Sequence, residues 1–383
     1  MTKKKKLAKC EKMKIFVVAE KSDERAAATP ATVKILRESG AEILVQKSAG
    51  EKSGIADAEF EKAGAKISEN FSGDADIFLA VNSPEISLVE KMRENAIWIS
   101  QFYPHFEIEL IKKFLEKKIR AFSLNLLPRI TRAQKMDVLT SQSNLAGYKA
   151  VILAANELKK IFPLMMTAAG TIQPAKVVVL GAGVAGLQAI ATAVRLGAQV
   201  EASDIRPIVK EQVESLGGKF IEVENNENLE DEKGYAKEAS KDFLKRQAEE
   251  VARRIAAADV VISTALIPGR PAPKLISEKM VQLMRPGSVI VDMAAPMGGN
   301  CELTEPGKKI EKFGVKIIGE KNLAGLISAH TTQMFAKNLQ NFCSEFLTDG
   351  KINFNFDDEI QRDCCVTFDG KIRHAPTREI LKI

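Results

Sequence analysis

The residues best suited to chemistry form a glycine-rich turn, GAGVAG, at residues 181–186. Four apolar residues, Val177 to Leu180, predict a buried strand before the turn, and a helical pattern follows it. In a turn of this kind Gly181 permits the bend, Gly183 lets the backbone approach a pyrophosphate, and Gly186 lets the helix pack close to the strand. The helix has no acidic side chain in its first turn, so its positive end is free for phosphate. The pattern therefore predicts a dinucleotide site.

An aspartate after the next predicted strand indicates which dinucleotide binds. Asp204 lies eighteen residues after Gly186, where a carboxylate can accept hydrogen bonds from both hydroxyls of an adenosine ribose. The same charge would repel a 2′-phosphate, which favours NAD over NADP. Arg206 lies two residues further on and leaves NADP open, because an arginine can pair with that phosphate. A glycine turn that binds no ligand is the remaining interpretation.

Two polar segments interrupt the alternating pattern. Residues 128–148 follow a predicted strand and combine arginines, Gln134 and Asp137 with many hydroxyl and amide side chains. Loops at strand ends often carry functional residues, so this segment is a candidate site. Residues 224–242 are long, polar and mostly acidic, with Tyr235 near the centre. A lone aromatic there favours a lid that docks on the site, and the alternative is a solvent-exposed loop without that role.

The elements that must position these residues form two α/β series. Apolar runs alternate with helical patterns in both halves of the chain, which predicts parallel sheets covered by helices. The predicted strands occupy residues 14–19, 42–46, 76–81, 97–102 and 120–127 in the first series, and residues 176–180, 199–203, 219–223, 259–266, 288–293 and 315–319 in the second. Long helices are predicted over residues 143–161 and 331–346.

We therefore predict an α/β fold of two Rossmann-like, doubly wound parallel-sheet domains, joined by the two long helices and with a ligand cleft between them. The first domain comprises residues 1–140 and 330–383, because the chain returns to it after the second series. The second domain, residues 141–329, holds the glycine turn. The polar tail beyond Phe346 is expected to form short strands or loop.

Composition excludes several other classes of protein. The chain has 383 residues and a net charge of +6, and the run Lys3 to Lys6 supplies four of the basic residues, so no nucleic-acid surface is predicted. No window is apolar for long enough to span a membrane. The five cysteines show no CxxC spacing, which favours a reducing cytoplasm over a disulfide framework. Three scattered histidines predict no metal centre.

Longer stretches resemble one family in detail. The segments RITRAQKMDVLTSQSNLAGYKAV, GAGVAGLQAIATAVRLGAQVEASDIR, MRPGSVIVDMA and GGNCELTEPG resemble the soluble NAD(H)-binding component, domain I of the alpha subunit, of the proton-translocating NAD(P) transhydrogenases. The wider superfamily includes alanine dehydrogenase. The resemblance extends over nearly the whole chain and is densest from Pro128 to Gly307.

The resemblance implies an activity that requires other chains. This chain would bind NADH, a partner component would bind NADP(H), and hydride would pass directly between the nicotinamides, while a membrane-embedded component couples the reaction to proton translocation. The enzyme would act only with these partner subunits, as a homodimer held on the inner face of the cytoplasmic membrane. Since hydride leaves one C4 atom and arrives at another, the protein need supply only proximity, orientation and exclusion of water.

The resemblance also implies roles for individual residues. Arg129, Gln134, Asp137 and Thr140 match the loop that orients the nicotinamide, and Val138 and Leu139 in the same loop would be further cofactor contacts. The phosphates would lie at Ala182, Gly183 and Val184, and the adenosine ribose at Asp204, Ile205 and Arg206. Gly234 and Tyr235 match the tip of a mobile loop that closes on NAD(H), and Gln247 and Leu266 match further nucleotide contacts. The implied catalytic set is Arg129, Gln134, Asp137, Thr140 and Tyr235.

Several positions depart from the family pattern and leave two alternatives open. Ala80 stands where most relatives have lysine, Pro296 stands where an acidic residue is usual, and residues 322–330 replace another element. One alternative is an amino-acid dehydrogenase of the alanine dehydrogenase type, whose chemistry needs an acid or base that is missing here. Its carboxylate-binding arginine matches Arg25, which we expect to make an ordinary ion pair. The other alternative is a degenerate NAD-binding subunit that only regulates or assembles.

Overall fold

The chain folds into two compact units. A computed structural model describes residues 12–222, 241–266 and 271–382. Unit 1 comprises Met1–Ser141 and Ser328–Ile383, and unit 2 comprises Gln142–Ile327. Within the described ranges, no helix has both the length and the apolar character needed to cross a membrane.

The strands of the described residues are short, and they alternate with helices along most of the chain. The strands are β1 (Lys14–Val17), β2 (Glu42–Gln46), β3 (Lys66–Ser68), β4 (Ile77–Leu79), β5 (Ile97–Ser100), β6 (Arg120–Ser123), β7 (Met165–Thr167), β8 (Gly170–Ile172), β9 (Lys176–Leu180), β10 (Gln199–Ser203), β11 (Lys219–Phe220), β12 (Val260–Ser263), β13 (Val289–Asp292), β14 (Lys309–Lys312), β15 (Val315–Ile318), β16 (Leu347–Thr348), β17 (Lys351–Ile352), β18 (Cys365–Phe368) and β19 (Lys371–Ile372). The helices are α1 (Pro30–Glu38), α2 (Asp57–Lys62), α3 (Ile86–Lys91), α4 (Ile108–Glu116), α5 (Val138–Glu157), α6 (Val184–Arg195), α7 (Lys210–Ser215), α8 (Lys241–Ala257), α9 (Glu278–Leu283), α10 (Ser328–Cys343), α11 (Glu359–Cys364) and α12 (Ala375–Leu381).

Unit 1 is built on an eight-stranded sheet in the order β19-β18-β6-β5-β4-β1-β2-β3. Strands β1 to β6 are parallel, whereas β18 and β19 add antiparallel at one edge. Every residue of β4 and β5 is buried, which explains their continuous apolar sequences. Helix α10 buries Phe335, Leu339 and Phe342 in the core of this unit, at the spacing of one helical face.

Unit 2 is built on a seven-stranded sheet in the order β11-β10-β9-β12-β13-β15-β14. All its neighbouring strands are parallel except β14, which is antiparallel to β15 at the edge. The strand order reverses between β9 and β12. In sheets of this kind the carboxyl ends of the two strands at the reversal leave a crevice in which ligands bind. The glycine turn follows β9 directly, so it lies at this crevice.

The α/β fold class is confirmed, but the sequence pattern does not predict the antiparallel pairing at the edges of both sheets. The tail beyond Phe346 contains the expected short strands and also helices α11 and α12, which the sequence pattern does not predict. The strands predicted over 176–180 and 199–203 coincide with β9 and β10. The pattern misses β3 and β14 because they are polar edge strands, and it misses β7 and β8 because their hairpin is exposed throughout. An exposed strand does not need alternating apolar residues.

Both long helices begin earlier than predicted. Helix α5 starts at Val138 instead of residue 143, and α10 starts at Ser328 instead of residue 331. Helix α5 begins in unit 1 and continues into unit 2, whereas α10 begins where the chain re-enters unit 1. The early start of α5 has a local cause, since Asp137 immediately before it accepts a hydrogen bond from the Thr140 backbone.

Candidate functional site

The glycine turn after β9 has the backbone geometry that its sequence predicts. Gly181 has a φ of +95°, a value that L side chains rarely adopt. A Cβ at Gly186 would lie 1.9 Å from the Gly181 carbonyl oxygen, so only glycine lets α6 begin this close to the turn. A Cβ at Gly183 would meet nothing nearer than Arg206 Nη2 at 4.0 Å. The bend at Gly181 and the close packing at Gly186 are confirmed, and Gly183 faces open space.

Helix α6 presents its N-terminus at this turn. It begins at Val184 with Gly183 as the N-cap residue, which makes no side-chain hydrogen bond, and its first turn has no acidic residue. The first N–H groups of a helix lack acceptors within the helix and carry partial positive charge. Together with the space at Gly183, these donors suit a phosphate group.

The Asp204 carboxylate, at the end of β10, already accepts four hydrogen bonds. Oδ2 accepts from Ala182 N at 2.7 Å and from Arg206 Nη2 at 3.0 Å. Oδ1 accepts from the Arg206 backbone N at 2.9 Å and from Nε at 3.0 Å. A carboxylate offers about four lone-pair positions, so a ribose hydroxyl would have to replace an Arg206 donor. The same ion pair neutralises Arg206 and so weakens it as a partner for a phosphate.

Two residues that the sequence patterns do not reveal hold the rim of this crevice. Thr264, which follows β12, donates its hydroxyl to the Gly181 carbonyl oxygen at 3.0 Å. The buried Asn300 side chain accepts from Ala265 N at 3.1 Å and donates to Ala265 O at 2.9 Å. These bonds fix the backbone from which the half-exposed Leu266 extends. Asn300 is invisible to sequence reasoning because its partner lies 35 residues earlier in the chain.

In unit 1, the loop predicted to orient a nicotinamide leads into the N-terminus of α5. Residues Thr131–Met136 form a 3-10 helix, and Asp137 follows it. Asp137 Oδ1 accepts from Thr140 N at 2.9 Å, and Oδ2 accepts from the Thr140 hydroxyl at 2.6 Å. The Val138 side chain is buried, which leaves only its backbone to contact a ligand. Two of the predicted site residues therefore hold each other in place.

Ion pairs fasten this 3-10 helix to the C-terminal part of unit 1. Arg132 Nη1 lies 3.1 Å from Glu345 Oε2, and Arg132 Nη2 pairs with Asp358. Burial alone would raise the pKa of Asp358, but hydrogen bonds from Arg132 and from backbone amides hold that pKa below its usual value. In contrast, the side chains of Arg129 and Gln134 are exposed. The loop is therefore anchored through Arg132 and through Lys135, whose Nζ lies 3.2 Å from Glu345 Oε1.

The predicted site residues divide between the two units. Unit 1 contains Arg129, Gln134, Asp137, Val138, Leu139 and Thr140, and unit 2 contains Ala182, Gly183, Val184, Asp204, Ile205, Arg206, Gln247 and Leu266. Gln247 lies on α8. Gly234 and Tyr235 lie outside the described residues.

The ion pair expected for Arg25 is present, but it is buried and local. Arg25 Nε lies 3.0 Å from Asp23 Oδ1, and Nη2 lies 2.7 Å from Oδ2. Both side chains are 4% exposed, and Asn82 Nδ2 also donates to Asp23 at 3.2 Å. Burial would raise the pKa of Asp23, but the Arg25 guanidinium and the other donors hold it below its usual value. Ala80, which replaces the lysine of the family pattern, is buried in the core.

Unit 2 is a doubly wound α/β unit with the glycine turn at its switch point, and unit 1 is a second α/β unit. This arrangement is typical of nucleotide-binding proteins. The chain belongs to the alanine dehydrogenase/PNT family. The N-terminal domain of that family matches residues 16–146, and its C-terminal domain matches residues 150–375.

The chain is similar to transhydrogenase subunits over almost all of its length. The first part of NAD(P) transhydrogenase subunit alpha of Rhodospirillum rubrum is 45% identical over 379 residues, which cover 94% of this chain and 98% of the relative. The crystal structure of transhydrogenase from Sinorhizobium meliloti is 44% identical, with a TM-score of 0.86 over 94% of this chain and 99% of that one. An L-alanine dehydrogenase structure, 24% identical with a TM-score of 0.80 over 97% of this chain and 99% of that one, shares the fold.

Proposed function

We propose that this chain is the NAD(H)-binding component of a proton-translocating transhydrogenase. The observation that carries the proposal is 45% identity to the first part of a transhydrogenase subunit alpha, across 98% of that relative. The local geometry of unit 2 supports it, because the glycine turn, the N-terminus of α6 and Asp204 meet at the switch point of a doubly wound sheet.

Unit 2 has the features that a dinucleotide requires. The open space at Gly183 suits a pyrophosphate, and the N–H groups of Gly183 and Val184 are the donors that would hold it, with Ala182, whose N–H binds Asp204, beside them. Asp204 would accept the ribose hydroxyls after exchanging an Arg206 donor, with Ile205 beside it. Because Asp204 is a carboxylate and neutralises Arg206, we expect NAD(H) to bind in preference to NADP(H).

The loop of unit 1 is proposed to aim the nicotinamide. Arg129 and Gln134 are exposed on it, and the bonds between Asp137 and Thr140 fix the backbone that follows. Bound NADH supplies a hydride at its C4 atom, which passes to C4 of NADP⁺ on the partner and leaves NAD⁺ and NADPH. The chain's own contribution is to hold the ring in reach and to exclude water, which together can contribute on the order of 7–11 kcal/mol to lowering the barrier.

The remaining parts of the proposal concern other chains. A partner component holds NADP(H), a membrane-embedded component couples hydride transfer to proton translocation, and this chain works as a homodimer on the inner face of the cytoplasmic membrane. The relatives' names describe the first part of a subunit alpha, which supports the expectation of further subunits. Gly234, Tyr235, Gln247 and Leu266 are proposed as further cofactor contacts.

Two reaction mixtures test the proposed function and its two alternatives. The chain, NADH, an acetylpyridine analogue of NAD and the NADP(H)-binding component should together show rapid reduction of the analogue that depends on added NADP(H). NADH oxidation by the chain alone, dependent on pyruvate and ammonia, would instead indicate an amino-acid dehydrogenase. NADH binding without turnover in either mixture would indicate a subunit that only regulates or assembles.

A further inference from the structure

We infer that Asn338 is a positioning residue for hydride transfer, because it binds the chain on both sides of the Asp137–Thr140 cap in the proposed nicotinamide loop. This inference rests on the proposed function and names a residue outside the predicted site. Asn338 lies in the middle of α10, nearly two hundred residues further along the chain than that loop.

The side-chain amide of Asn338 bridges the two sides of the Asp137–Thr140 cap. Its Nδ2 donates to the carbonyl oxygen of Lys135 at 2.9 Å, two residues before Asp137. Its Oδ1 accepts from the hydroxyl of Ser141 at 2.7 Å, one residue after Thr140. One planar group thereby sets the distance between the end of the 3-10 helix and the first turn of α5.

Helix α10 gives Asn338 a rigid base. Phe335, Leu339 and Phe342 around it are fully buried in the core of unit 1. Asn338 itself is 9% exposed, and a buried amide is costly unless it is hydrogen bonded. Asparagine is also a poor helix former, so the position of this residue within a helix is explained by its bonds to the loop rather than by helix stability.

A neighbouring residue offers a matched control. Asn341 Nδ2 donates to the same Lys135 carbonyl at 2.8 Å. It lies on the same helix but shares no hydrogen bond with Ser141 among those of the described residues. Removing Asn341 therefore weakens only the contact with Lys135, whereas removing Asn338 weakens that contact and also removes the bond to Ser141. If only general attachment of the loop mattered, the two changes would have similar effects.

The test compares Asn338→Ala, Asn341→Ala, Ser141→Ala and the double variant Asn338→Ala/Ser141→Ala in the full chain with its partner component. Because a misplacement of about 1 Å can cost on the order of a hundredfold in rate, we expect Asn338→Ala to slow hydride transfer by about tenfold or more. NADH affinity should stay within about twofold, since the proposed phosphate and ribose contacts lie in unit 2 and Asn338 is not proposed to touch the cofactor. Asn341→Ala should slow transfer by no more than about threefold.

The double variant and hydrogen exchange separate positioning from general damage. If Asn338 acts through Ser141, the double variant should be no slower than Asn338→Ala alone. In the chain without partner, amide exchange over residues 131–140 should be faster in Asn338→Ala, with exchange in β9 unchanged. Equal losses of affinity and rate, or unchanged exchange in the loop, would overturn the inference. If the unaltered chain transferred no hydride, the proposed function would fall, and the exchange data would still decide whether Asn338 holds the loop.

Discussion

Among single residues, Asp204 and Asp23 show the same arrangement in different units. Each carboxylate is nearly buried and is bound by an arginine two residues further along the chain. Asp23 also accepts a hydrogen bond from Asn82, and both members of the pair are buried in unit 1, so we expect this pair to serve the fold. Around Asp204 the pair lies beside the glycine turn and contacts the backbone N–H of Ala182. The first pair should therefore determine stability, and the second should determine cofactor binding.

Asp204→Asn should weaken NADH binding by about tenfold, because a hydrogen bond to a charged group contributes about 1.5–3 kcal/mol. The freed Arg206 should at the same time raise the affinity for NADPH relative to NADH. Isothermal titration with both nucleotides measures this ratio. Arg206→Ala is the control, since it keeps the carboxylate and adds no cation for the 2′-phosphate. An unchanged NADH affinity in Asp204→Asn would show that the ribose lies elsewhere.

Asp23→Asn should destabilise the protein by about 3 kcal/mol at neutral pH, because it leaves the buried Arg25 charge without a counter-ion. The pKa of Asp23 in the folded chain is held below its usual 3.8. Its stabilising contribution is therefore complete above that value and is lost as the pH falls through the folded-state pKa. Urea unfolding should therefore show a larger difference from the unaltered protein at neutral pH than near pH 3.

The exposed pair of Lys14 and Asp74 provides the comparison for this experiment. Asp74 is 61% exposed, so Asp74→Asn should cost little at either pH. A pH-independent loss in Asp23→Asn would mean that packing rather than charge accounts for the effect.

Among the elements, the glycines of the turn divide into structural and ligand-facing positions. Gly186→Ala should lower the melting temperature, because its Cβ would lie 1.9 Å from the Gly181 carbonyl oxygen. This loss is expected even though alanine favours a helix by about 1 kcal/mol over glycine. Gly183→Ala meets no such clash, so it should leave the melting temperature unchanged and weaken NADH binding. Calorimetry measures the melting temperatures of the two variants, and nucleotide titration measures their NADH affinities. An equal loss of stability in both variants would contradict this division.

Strands that are buried on both faces are predicted best from the sequence, because the residues on both faces must then be apolar. Strand β9 is buried along four of its five residues, and its apolar run is visible in the sequence together with its bounds. The exposed β7–β8 hairpin carries no such constraint, so no pattern indicates it. The periodicity misses the start of α5 because the Asp137–Thr140 cap, though local in sequence, lies inside a stretch with few apolar residues.

For the whole molecule, sequence reasoning gives the fold class and the family but not the long-range pairings. Strand β18 joins β6 through Cys365 and Phe122, and Asn338 reaches back to Lys135. Such contacts join segments that are roughly two hundred residues apart, and neither periodicity nor a local motif indicates them. The predicted site residues in the turn and loop come from local motifs and resemblance, whereas Thr264, Asn300 and Asn338 become visible only when the chain is folded.

In the proposed reaction, hydride passes directly from NADH on this chain to NADP⁺ on a partner. A deuterium-transfer experiment mixes the chain and its NADP(H)-binding component with NADP⁺ and NADH deuterated at C4, each of the two C4 faces being labelled in a separate sample. Mass spectrometry of the NADPH should show deuterium from one of the two samples, without dilution by solvent protons. Unlabelled NADPH from both samples, or label that exchanges with water, would rule out direct transfer.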